Sequence, residues 1–148
     1  MCSYCGCEEI AIIGRFMAEH VEIVNASGDL RRAVHDGDQA PVAHAAEALA
    51  NLLWPHTLVE ERGLFAVLRR QEDFRAEVDA LCAEHVRLDD QLSRIGAGQT
   101  EVLDVFLHDL RNHIDREENG LFPAAAIALD GDEWDEVDAY EPAPDTHG

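Results

Sequence analysis

The sequence predicts an all-α protein: an up-down-up-down antiparallel four-helix bundle closed by a short C-terminal helix or tail. Three observations predict it. Apolar residues recur every three or four positions in four long stretches, and period-two alternation is never sustained. Short breaks separate those stretches: Asp36-Gly37-Asp38 with Pro41, Gln71-Glu72-Asp73, and Gly96-Ala97-Gly98. Finally, the chain repeats itself. AEHV at 18–21 and HTLVEERGLF at 56–65 are echoed, in the same order, by AEHV at 83–86 and HIDREENGLF at 113–122.

The first helix is expected over about 8–35, with the stripe Ile10, Ile13, Met17, His20, Val24. The second, about 41–70, carries Ala46, Leu49, Leu53, His56, Glu60 and Leu64 on one face. Pro55 sits inside it, where the missing backbone donor should kink the helix. The third, about 73–95, gives Phe74, Val78, Leu81, His85, Leu88, Leu92 and Ile95. The fourth, about 99–121, gives Val102, Phe106, Leu110, His113, Glu117 and Leu121. After Phe122-Pro123 a short last helix is expected to pack back through Trp134, Val137 and Tyr140. The organisation is then a Cys-rich segment over 1–8, the bundle over 9–125, and an acidic tail over 126–148.

A chain of 148 residues can bury one proper core without disulfides. Its formal net charge of −20 argues against gripping nucleic acid or an anionic membrane. The acidic residues crowding the C-terminal end, from Asp130 to Asp145, read as a solvated terminus. No apolar run is long enough to span a bilayer and no secretory signal is visible, so a cytoplasmic protein is expected.

Each repeated polar residue falls inside an apolar stripe. Taken singly, His20, His56, His85 and His113 read as ordinary core histidines. A buried Glu is another matter: a carboxylate brought inside a bundle costs several kcal/mol unless a cation accompanies it. Residues four apart stack on one helix face, so His56 lies beneath Glu60 and His113 beneath Glu117. His20 and His85 sit at similar depth on the first and third helices, so all four helices converge on one level. The expected result is a dinuclear metal site of four imidazoles and two carboxylates, Glu60 and Glu117 bridging. Mixed imidazole and carboxylate donors suit iron or manganese, and the absence of nearby thiolate argues against structural zinc.

The pattern H…HxxxE…H…HxxxE, running from about residue 10 to 125, closely resembles the hemerythrin-like or HHE cation-binding domain. Ferritin-like bundles use Glu-x-x-His instead. The resemblance implies two iron ions, oxo- or hydroxo-bridged, held by His20, His56, Glu60, His85, His113 and Glu117. Oxygen-carrying members of the family use a fifth His, one turn from another on the third helix. Here the neighbours of His85 are Leu81 and Asp89, and the second carboxylate is Glu rather than Asp. With one imidazole fewer, each iron would keep an exchangeable position unless Asp89, Glu61 or Glu118 supplies a further oxygen. The expected function is therefore reaction with hydrogen peroxide, oxygen or nitric oxide, with peroxide disproportionation the enzymatic form. The alternative is a non-catalytic sensor of oxygen, nitric oxide or iron. Small molecules are the expected partners, with the chain a monomer or homodimer.

Cys2, Cys5 and Cys7 form C-x2-C-x-C, dense enough for metal binding, redox chemistry or an intersubunit disulfide, with no dedicated role the simpler reading. Cys82 lies roughly 15 Å along the bundle from Cys7, too far to complete a cluster without a fold-back, and is expected to pack beside the site. His35, His44, His108 and His147 fall off the stripes or near termini and are expected at the surface.

Overall fold

The computed structural model describes residues 10–140. Helix α1 is Ala11–Asp36, ended by Gly37 in the left-handed conformation at φ 90°. Helix α2 starts as Gln39–Val59, passes through a π turn at Glu60–Phe65 and finishes as Ala66–Leu68. Helix α3 is Glu72–Gly96. Helix α4 opens with a 3-10 turn at Thr100–Val102, runs over Leu103–Arg116, takes a second π turn at Glu117–Leu121 and continues as Phe122–Ala128. Helix α5 is Gly131–Ala139, opened by a capping box between Asp130 and Glu133. Short connections make successive helices antiparallel, and α1 packs on α2, α2 on α3, α3 on α4 and α4 on α1. Among the described residues there is no strand, and no helix is long and apolar enough to cross a membrane.

The helices fall where the apolar periodicity puts them, except at the end of the fourth. That helix was expected to stop at Phe122-Pro123; it runs on to Ala128. Pro123 is tolerated because the ladder has already shifted there, with the Phe122 N–H donating to the Glu117 carbonyl five residues back. Pro55 likewise sits within α2, and the change of helical winding comes at Glu60–Phe65.

The apolar interior is split in two. A lower cluster holds Ile13, Phe16, Leu64, Phe65, Val78, Leu81, Leu121 and Phe122. An upper cluster holds Ile23, Leu30, Leu49, Leu88, Ile95, Phe106 and Leu110. Between them on every helix lies a buried polar layer: His20, His56 with Glu60, His85, and His113 with Glu117. Leu53 and Leu64 bracket that layer along α2 as Leu110 and Leu121 do along α4. The core is thus built around the polar layer rather than interrupted by accident.

Helix α5 closes the lower end, with Val137 buried and Trp134 and Tyr140 packed against the lower cluster. It crosses directly over Gly63, where an added Cβ would lie 3.4 Å from the Val137 carbonyl oxygen. Gly120, the matching residue in the second phrase, faces open space. Glycine in a helix costs about 0.5–1 kcal/mol relative to alanine. Gly120→Ala is therefore expected to raise stability by up to about 1 kcal/mol, read from the urea midpoint. Gly63→Ala should gain less, because its methyl must be fitted under α5. Equal gains in the two would show that α5 does not seat there.

Candidate metal centre

The six residues singled out by the repeat come together. Two groups form, His20, His56, Glu60 and Glu117 on one side and Glu60, His85, His113 and Glu117 on the other, with each group's donor atoms within 4.8 Å of one another. Glu60 and Glu117 belong to both groups and are 0% exposed. The two sides are related by the duplication: α1 and α2 supply one pair of imidazoles, α3 and α4 the other.

The imidazoles turn the same way. In every one Nε2 faces the centre and Nδ1–H donates outward to a carboxylate. His20 donates to Glu118 at 2.7 Å, His56 to Glu19 at 2.7 Å, His85 to Glu61 at 2.6 Å and His113 to Glu84 at 2.7 Å. Each carboxylate comes from the neighbouring helix, so the bonds run α2 to α1, α3 to α2, α4 to α3 and α1 to α4 in a closed circuit. Glu84 is further held by Arg116, which also pairs with Glu77 at 3.0 Å, and Glu19 by Arg15 at 3.0 Å.

Sequence reasoning missed this ring. The spacing offers Glu61 and Glu118 only as further oxygen ligands and leaves Glu19 and Glu84 off the apolar stripes. The signal was present as repetition, since the Glu before His in both AEHV phrases and the second Glu of both EE pairs are retained. Asp89, the third candidate for an added oxygen ligand, is exposed on the α2/α3 face.

The rest of the repeated phrase is accounted for by packing. Phe65 stacks on the His85 ring, with centroids 5.8 Å apart and planes 11° apart. Phe122 does the same to His20, at 6.0 Å and 10°. Leu64 and Leu121 seal the lower side of the layer. HxxxEExGLF thus encodes a centre-facing imidazole, a centre-facing carboxylate, an orienting carboxylate, a small residue in the π turn, and the Leu and Phe that wall in the site.

Do these residues fit a cation? With Nδ1–H committed outward, the neutral imidazole presents a lone pair at Nε2. The Nε2 atoms of His85 and His113 lie 3.0 Å apart, and the His20 and His56 Nε2 atoms and all four oxygens of Glu60 and Glu117 have no hydrogen-bond partner. Acceptors alone point into a sealed space holding two carboxylates. Such an arrangement needs positive charge at its centre. Protons supply it when nothing else does. Burial opposes a charge on His20, but the nearby Glu117 carboxylate and the bond to Glu118 push its pKa up to about 9. His56 is pushed to about 10 against burial by the charge of Glu60 and the bond to Glu19, and His85 to about 10 by Glu60 and Glu61. His113 is raised against burial by Glu117, and Glu60 is held well below the carboxylate range by His56 and His85 despite complete burial. A metal cation held there would take over the role of those protons.

The remaining candidates lie outside the centre. His35, His44 and His108 are exposed. His147, Cys2, Cys5 and Cys7 lie outside the described residues. Cys82 is half-buried against the lower cluster near Arg69, and burial raises its thiol pKa.

Fold and site together define a helical-bundle protein whose buried imidazole and carboxylate cluster fits metal cations. The chain matches the hemerythrin HHE cation-binding domain over residues 11–125, and it belongs to that family. No curated protein and no solved structure matches it.

Proposed function

We infer that the chain holds two iron ions and reacts with small oxidants, with the disproportionation of hydrogen peroxide to water and oxygen as its reaction. The observation that supports two metals is the sharing of Glu60 and Glu117 between both donor groups, the placement that bridging carboxylates require. Imidazole and carboxylate donors without thiolate favour iron over zinc. When bound, a pair of irons supplies reversible two-electron chemistry matched to peroxide. The chain's own residues do the rest. His20 and His56 serve one metal position and His85 and His113 the other; the carboxylate ring fixes which ring nitrogen faces inward. Phe16, Phe65 and Phe122 keep bulk water away from the lower side.

The test is oxygen evolution. Protein loaded with ferrous iron under anaerobic conditions is expected to release oxygen from hydrogen peroxide faster than an equal amount of free iron. His113→Ala should reduce that rate to the free-iron level. Loaded protein no faster than free iron would end the peroxide reading, and a reversible spectral change without turnover would move the function to sensing.

A further inference from the structure

The duplication is faithful at the ligands and broken beside them. Superimposing the repeated phrases pairs Ala50 with Leu107, Thr57 with Ile114 and Asp89 with Val24. Leu107 and Ile114 pack against the upper cluster on the α4 side. Ala50 and Thr57 are smaller at the matching places, and a pocket of about 190 Å³ opens between α2 and α3. Its lining includes Ala50, Trp54, Thr57, Glu61, His85 and Asp89. His85 is one of the centre-facing imidazoles, and Glu61 is the carboxylate that holds it. The orienting carboxylates show the same asymmetry: the Glu61 side chain is 40% exposed and Glu118, its counterpart, 21%.

We propose that this pocket is the port through which a hydrated divalent cation enters and leaves the buried centre, with the His85–Glu61 pair as its gate. The inference rests on reading the six residues as metal ligands. Charge and size support a cation. Glu61 and Asp89 put two carboxylates in the lining, and Val24, which replaces Asp89 in the other half, would contribute none. At ~30 Å³ per water, the space accommodates a divalent ion with roughly its six-water shell. The centre lies one residue further on, since Glu60 adjoins Glu61 and its Oε1 is 3.3 Å from the His85 Nε2. Opening the gate breaks one hydrogen bond, and Glu61 is exposed enough to swing outward with the ion.

The other half of the repeat supplies the test. Ala50→Leu combined with Thr57→Ile gives the α2/α3 face the residues found at the matching α4 positions. Cobalt(II), whose visible absorption reports its coordination, is the probe, added to metal-free protein in a stopped-flow instrument and later withdrawn by a chelator. The double variant is expected to reach the parent's cobalt content and final spectrum, but with uptake and release both slowed by about tenfold or more. Asp89→Asn, which alters charge without filling space, should slow uptake alone and keep the claim testable if the double variant does not fold. Leu107→Ala with Ile114→Thr should open the second face and speed exchange. Parent-like uptake in both the filled and the neutralised variants would overturn the port, as would a changed final spectrum in Asp89→Asn, which would make Asp89 a ligand. A parent chain that takes up no cobalt would instead overturn the ligand assignment beneath it.

Discussion

Glu60→Ala is expected to abolish the binding of both metals, whereas His113→Ala should cost one. The difference follows from the geometry of sharing. His113 belongs to a single group of donors; Glu60 belongs to both, with its Oε1 3.4 Å from the His56 Nε2 and 3.3 Å from the His85 Nε2. Deleting it removes an oxygen from each metal position and half of the negative charge that compensates the cations. The energetic readout is as direct as the metal analysis. A ligand present at about one hundred times its dissociation constant adds about 2.7 kcal/mol to stability. The parent chain should therefore gain several degrees in Tm on saturation with metal, His113→Ala a fraction of that, and Glu60→Ala nothing. Glu117→Ala should behave as Glu60→Ala does, since the duplication places it equivalently. Two metals retained by Glu60→Ala after dialysis would show that the carboxylates do not bridge.

Much of this centre was legible because helical periodicity reports what lies on one face of one helix. His56 and Glu60 had to point the same way, and a carboxylate in an apolar stripe demanded a partner. Periodicity also placed α1, α2 and α3 to within a few residues. It is silent on what meets across helices. Glu19 and Glu84 each precede a centre-facing His by one residue, which turns them about 100° off the stripe and makes them read as solvated. Their partners, His56 and His113, lie on the next helix, at a distance fixed by packing and not by spacing. The π turns were hidden for a related reason. Each begins at a centre-facing Glu, and nothing in the residue pattern separates a winding of i→i−5 from one of i→i−4 over a single turn. The continuation of α4 past Pro123 followed from that unseen turn.

The outer ring leads to the second large effect, and it separates a positioning role from a merely structural one. Glu84 holds the Nδ1–H of His113, is nearly buried itself, and is anchored by Arg116. A negative acceptor on Nδ1 both fixes the imidazole's orientation and strengthens Nε2 as a donor to metal. Glu84→Ala is expected to weaken metal binding by about 10–100-fold in competition with a chelator. Glu84→Gln retains an oxygen that can accept the same hydrogen bond but carries no charge, so it should recover orientation without basicity and fall between the two. A purely structural role predicts another order, in which affinity tracks the stability of the metal-free fold and the Gln variant is no better than its change in Tm. Glu22→Ala, on an exposed part of α1, serves as the reference and should bind as the parent does. Since each of the four helices supplies both a centre-facing imidazole and the carboxylate that steers its neighbour's, Glu19→Ala should reproduce the loss at the other metal position. If Glu84→Ala holds metal as tightly as the parent chain, the ring is decoration and the inner six suffice.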